Sequence, residues 1–99
     1  MRIFICGPMS DLPGNNYDAF NAEALRLRAL GHGVENPAEN PEPPGKEWKD
    51  YMRMSITQLV RCDTVVLLPG WQDSRGANIE RPLALKLGMR VVDAHEVVA

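Results

Sequence analysis

The apolar positions of this chain fall into two kinds of pattern. Ile3-Phe4-Ile5-Cys6 is an unbroken run closed by Gly7-Pro8, and Thr64-Val65-Val66-Leu67-Leu68 is another closed by Pro69-Gly70. Neither alternates with polar residues, so residues 2–6 and 64–68 are expected to be short strands covered on both faces. Shorter runs at 33–36 and 90–92 predict two more strands. Between them the spacing becomes helical. Phe20, Ala24, Leu27 and Leu30 share one face of a helix predicted over 17–30, with Asn16 as its cap and Gly31 at its end. Trp48, Met52, Ser55 and Leu59 share a face of a second helix over 46–61. A third runs from about Ala77 to Leu87 and stops at Gly88. Asp93 and Glu96 have capping-box spacing for a last helical turn.

Strand and helix therefore alternate along the whole chain. That order predicts an α/β domain over residues 1–99, a small Rossmann-like (flavodoxin-like) three-layer fold. Its parallel sheet should have four to five strands in the order 2-1-3-4, joined by right-handed crossovers. In such sheets ligands bind outside the carboxyl ends of the strands, where the strand order reverses. Here that point lies between the first and third strands, where Gly7-Pro8-Met9 and residues 71–76 leave the sheet. A turn-rich loop is expected over 7–15. Residues 37–45 contain four prolines and read as a mobile flap rather than a domain linker.

Composition narrows the possibilities. Ninety-nine residues, 44% hydrophobic and 24% charged, make one ordinary globular domain. A net charge of −2 offers no basic field, which argues against nucleic acid as a partner. No apolar run approaches the ~20 residues of a membrane helix, and residues 3–6 are too short for a secretory signal core. A cytoplasmic location without membrane partners is the default expectation. The cysteines do not read as a disulfide: parallel strands would put Cys6 and Cys62 at opposite ends of the sheet. Cys6 reads either as a small buried hydrophobe or as a site thiol.

The candidate chemistry gathers after the third strand. Glu80 follows a strand-to-helix turn, where a helix amino end favours an anion. A carboxylate held ionised there suits a nucleophile. The plainer reading is a first-turn glutamate that helps the helix start. Ser74-Arg75-Gly76 puts a hydroxyl, a guanidinium and a glycine at the same turn, a combination that suits a phosphate, although such turns are common. Trp71 could stack on a base or sugar, or pack beneath the proline loop. Asp73 could bond a ribose hydroxyl or turn the chain. Pro82 lacks the N–H for the carbonyl of residue 78, so the helix is expected to start at about Ile79 or to kink beside Glu80. His32 and His95 have no partners at metal-ligand spacing, and no metal or other cofactor is expected. Met52 and Met54 read as packing residues.

Five stretches together resemble a known group. They are Ile3-Phe-Ile-Cys-Gly-Pro-Met9, Asn16-Tyr-Asp-Ala-Phe20, Tyr51-Met-Arg53, Cys62-Asp63 and Leu68-Pro-Gly-Trp-Gln-Asp-Ser-Arg-Gly-Ala77 with Glu80. They resemble short bacterial and phage proteins of the nucleoside 2-deoxyribosyltransferase superfamily, over nearly the whole chain. The resemblance implies cleavage of the N-glycosidic bond of a deoxynucleoside or its monophosphate. Glu80 would attack C1′ of the sugar, and water or a second base would resolve the glycosyl-enzyme. It also implies that Ser74 and the Gly7 loop, with Pro8 and Met9, face a 5′-phosphate, and that the protein is a homodimer or larger. Two positions depart from that pattern. Where the superfamily carries an Asp general acid, this chain has Ser55. Where many members carry a Tyr that orients the nucleophile, it has Phe4. A general acid is typically worth ~10²–10⁴-fold in rate, so turnover depends on a substitute such as Asp73 or Asp50. The competing expectation is a protein that binds a nucleotide, or a signal derived from one, without turning it over.

Overall fold

A computed structural model describes residues 1–9 and 12–98. Ser10 and Asp11, within the expected loop 7–15, lie outside the described residues. Four strands, β1 (Arg2–Cys6), β2 (Gly33–Glu35), β3 (Thr64–Leu67) and β4 (Arg90–Asp93), form one sheet in the order β2-β1-β3-β4. Every pairing is parallel, with Ile3 beside Val34 and Thr64, and Leu67 beside Asp93. The α/β fold and strand order therefore match the pattern read from the chain. β3 stops one residue early, at Leu67. β4 runs one residue further, to Asp93, because that residue completes the register with Leu67.

The three helices are α1 (Tyr17–Ala29), α2 (Trp48–Leu59) and α3 (Ala77–Lys86). The period-two geometry of the strands divides the core. Ile3, Ile5, Val66 and Leu68 pack with Phe20, Ala24 and Leu27 of α1. Phe4, Cys6, Val65 and Leu67 pack with Leu59 of α2 and with Ala77 and Ala84 of α3. Both faces of β1 and β3 are thus sealed, which is why their sequences do not alternate. Phe4 is fully buried, and Cys6 is 1% exposed.

Several local features differ from expectation. Asn16 does not cap α1 with its side chain. Gly14, Asn15 and Asn16 all have positive φ, between 52° and 59°, a left-handed turn that asparagine and glycine tolerate best. The Asn16 Nδ2 instead donates to the Pro8 carbonyl at 2.9 Å, tying the turn to the loop after β1. α3 starts at Ala77, not Ile79, and stays helical through Pro82, forgoing only the bond that a residue 82 N–H would donate to Asn78.

The proline loop is anchored at its start rather than free. Asn36, 2% exposed, accepts from the Ala38 N–H at 3.1 Å and donates to Asn21 Oδ1 at 3.0 Å. Asn40 and Gln58 exchange amide hydrogen bonds of 2.7 and 2.8 Å, which fasten the loop to α2. On the α1 side, Arg26 makes a two-pronged pair with Glu23 and also donates to the carbonyls of Ala94 and Val97. That network holds the 3₁₀ turn Ala94–Glu96 against the helix. None of the described helices is long and apolar enough to cross a membrane.

Candidate functional site

A cleft of about 590 Å³ opens at the carboxyl ends of β1 and β3. Its walls come from both helix layers, because β1 and β3 are the strands on which the connections diverge. Of the residues singled out from the chain, Gly7, Pro8, Met9, Ser55, Asp73, Ser74, Arg75, Gly76 and Glu80 line it. Phe4 and Trp71 do not. Period two sends Phe4 into the core beneath α2 and α3. Trp71, in a 3₁₀ turn over Trp71–Asp73, packs on that same core, with the Arg81 guanidinium 5.1 Å from its ring centre. Asp50 is not in the wall either. As the third residue of the α2 amino end it accepts from the Glu47 N–H at 3.2 Å.

Glu80 sits at the cleft with only 5% of its surface exposed. Oε1 accepts a hydrogen bond from the Cys6 thiol at 3.3 Å. Burial pushes the carboxyl up to about 7 from an ordinary value of 4.5, and the thiol hydrogen bond opposes that rise. The expectation that a helix amino end holds Glu80 ionised is therefore corrected. Its own N–H is already bonded to the Gly76 carbonyl at 2.9 Å, so it lies past the free N–H groups that favour an anion. Desolvation dominates.

Those free N–H groups are located one turn earlier. Ser74 is extended, and its Oγ accepts from the Ala77 N–H at 3.1 Å, three residues on, while its carbonyl accepts from the Asn78 N–H at 3.0 Å. Ser74 thus acts as the cap of α3. The same hydroxyl donates to the Gly7 carbonyl at 3.3 Å, stapling the two loops that frame the cleft. The N–H groups of Arg75 and Gly76 have no acceptor among the described residues. Unpaired N–H groups at a helix amino end, with the guanidinium of Arg75 on the same turn, are the kind of arrangement that can hold an anion.

Glycine is required at one point of this frame and gives close packing at a second. A Cβ on Gly7 would lie 2.8 Å from the Leu68 Cβ, and one on Gly76 would lie 3.1 Å from the Met52 sulfur. Arg75 and Trp48 both line the cleft, the guanidinium carbon 3.7 Å from the centre of the indole ring. Tyr17, Tyr51 and Trp48 supply aromatic surface, with the buried Phe20 behind them. The chain did signal part of this wall: Trp48, Met52 and Ser55 share the helical face noted above, and Tyr51 is one helical turn from Ser55. Tyr17 and Asn15 carried no such signal, since the left-handed turn that aims them is not a sequence period.

Both cysteines are free. Cys6 sits beside Leu67 at the carboxyl end of the sheet, and Cys62 precedes the amino end of β3. Among the described residues no three His, Cys, Asp or Glu side chains gather as a metal site. Residues 1–93 match the family described as "Domain of unknown function (DUF4406)", and the chain belongs to it. No curated protein matches the chain.

Proposed function

We propose that this protein is an N-glycosidase or deoxyribosyltransferase of the nucleoside 2-deoxyribosyltransferase type, acting on a nucleoside 5′-monophosphate. One observation carries the reading. A buried carboxylate, Glu80, lines the same cleft as a helix amino end bearing a hydroxyl, free N–H groups and a guanidinium. That amino end fits a phosphate, and the carboxylate fits the electrophilic carbon of a sugar held beside it. The aromatic residues of the wall offer a face for the base.

In this reading the ionised Glu80 attacks C1′. The C1′–N bond breaks, its electron pair leaves with the base, and an acylal-linked glycosyl-enzyme forms. Water, or a second base, then attacks C1′ and releases Glu80. The departing base needs a proton. Asp73 is the other carboxylate among the residues lining the cleft and takes that role. Ser55 stands where the resemblance places the acid, and a hydroxyl is a poor substitute. That observation favours a second reading, a nucleotide-binding protein with little or no turnover.

Both readings include self-association, for which Val60, Ile79, Leu85 and Leu87 leave exposed apolar side chains on the α2–α3 side. Base release separates them. Purified protein incubated with deoxynucleosides and their monophosphates should free base, faster from the monophosphates, and Glu80→Ala should abolish it. Binding without release at high protein concentration would establish the second reading instead.

A further inference from the structure

We propose that Cys6 is the positioning residue for Glu80: its thiol grips Oε1 and leaves the other carboxylate oxygen to the cleft. The inference rests on the reading of Glu80 as nucleophile, and it names a residue that the resemblance does not supply.

The geometry has three parts. Cys6 and Glu80 are 74 positions apart in the chain, yet the thiol and Oε1 are 3.3 Å apart where β1 meets α3. Oε2 has no hydrogen-bond partner among the described residues, and Glu80 itself lines the cleft. Phe4 and Cys6 belong to the same apolar cluster and so to the same face of β1. The resemblance expects a hydroxyl at position 4, but Phe4 is sealed. The donor on this strand face has moved one repeat along, to the residue that reaches Glu80.

The chemistry suits the task. Burial, and then the negative charge of Glu80, push the Cys6 thiol well above its ordinary range. It therefore stays an S–H donor across neutral pH and does not compete as a thiolate nucleophile. A thiol is a weak donor, so it orders the carboxylate without draining its nucleophilicity. The other titratable or charged groups lining the cleft are Tyr17, Tyr51, Asp73 and Arg75, and none of them is hydrogen-bonded to Glu80.

The test uses the full chain and the variants Cys6→Ala, Cys6→Ser and Cys6→Val. The Glu80 carboxyl carbon is followed by ¹³C NMR against pH without ligand, and base release is followed against pH with substrate. Cys6→Ala should move the Glu80 midpoint upward by about one pH unit. The acidic limb of the rate profile should follow, lowering release below neutral pH by about tenfold. Cys6→Ser, which keeps a donor, should return both toward wild type. Cys6→Val fills the space without a donor and is read in place of Cys6→Ala if that variant loses its tertiary structure. A Glu80 midpoint unchanged in the donor-free variants, or equally changed in Cys6→Ser, overturns the proposal. If the midpoint moves as expected while no protein releases base, the positioning contact stands and the glycosidase reading fails.

Discussion

Burial of Glu80 has a thermodynamic consequence that does not depend on any substrate. A carboxyl raised from 4.5 to about 7 holds its proton more tightly in the folded chain than in the unfolded one. Folding is therefore favoured where that proton is present. The contribution is complete below pH 4.5, declines as pH rises, and is gone above pH 7. At ~1.36 kcal/mol for each tenfold change in proton affinity, the whole effect is roughly 3 kcal/mol. With 5% of the residue exposed, solvent screening removes little of it. That is a large part of the ~5–15 kcal/mol expected for a domain of this size. Glu80→Gln keeps the shape and the acceptor for Cys6 but cannot ionise. Urea unfolding of both proteins from pH 4.5 to 8.5 gives the stability difference at each pH, in which the other titrating groups cancel. The variant should gain about 3 kcal/mol on wild type between the ends of that range. With a urea slope of ~1–2 kcal/mol per M, the midpoints should diverge by roughly 1.5–3 M. A difference independent of pH would refute the reasoning, because Glu80 would then titrate as an ordinary surface carboxyl.

Three further outcomes follow from the cleft. Ser74→Ala removes the cap on the Ala77 N–H and the staple to Gly7, and should cost ~0.5–2 kcal/mol in thermal or urea unfolding; calorimetry should also show weaker binding of a monophosphate than wild type, with the parent nucleoside little changed. Gly7→Ala drives a methyl into Leu68 and should lose ~1–3 kcal/mol, read in the same unfolding assay. Ser55→Asp restores a carboxyl to the wall and should raise base release; an unchanged or lower rate would mean that Asp73 or another group already supplies the proton.

Much of this was legible in the chain because it follows from periods. The unbroken runs around Ile5 and Val66 announce strands buried on two sides, and their order along the chain leaves little choice of topology. Trp48, Met52 and Ser55 could be placed together because 3.6 residues per turn puts them on one face. What the period cannot give is direction within irregular backbone. Trp71 reads equally well as a stacking platform or as a packing residue, and only the 3₁₀ turn at Trp71–Asp73 decides for packing. Asn16 reads as a cap, yet a positive φ turns its amide toward Pro8. Glu80 was found, but its electrostatics were not. Whether a helix-start carboxyl is ionised depends on how much of the cleft wall excludes water. That depends on Cys6 and on residues from other elements, which carry no local mark.

The pairing of β1 with β3 also sets when the site can exist. Ile3 meets Val34 after one crossover but Thr64 only after two, and Glu80 is reached one turn later still. Closing the longer loop costs only ~0.6 kcal/mol more per doubling of length, so equilibrium is barely affected. Kinetics are affected more, since non-local pairings slow folding. A nascent chain has no cleft until its third strand has emerged and docked beside the first. No amino-terminal fragment that ends before α3 can hold Ser74 against Gly7 or Glu80 against Cys6. Ligand binding should then protect the whole domain at once, raising its global unfolding midpoint with ligand concentration rather than quieting a single loop.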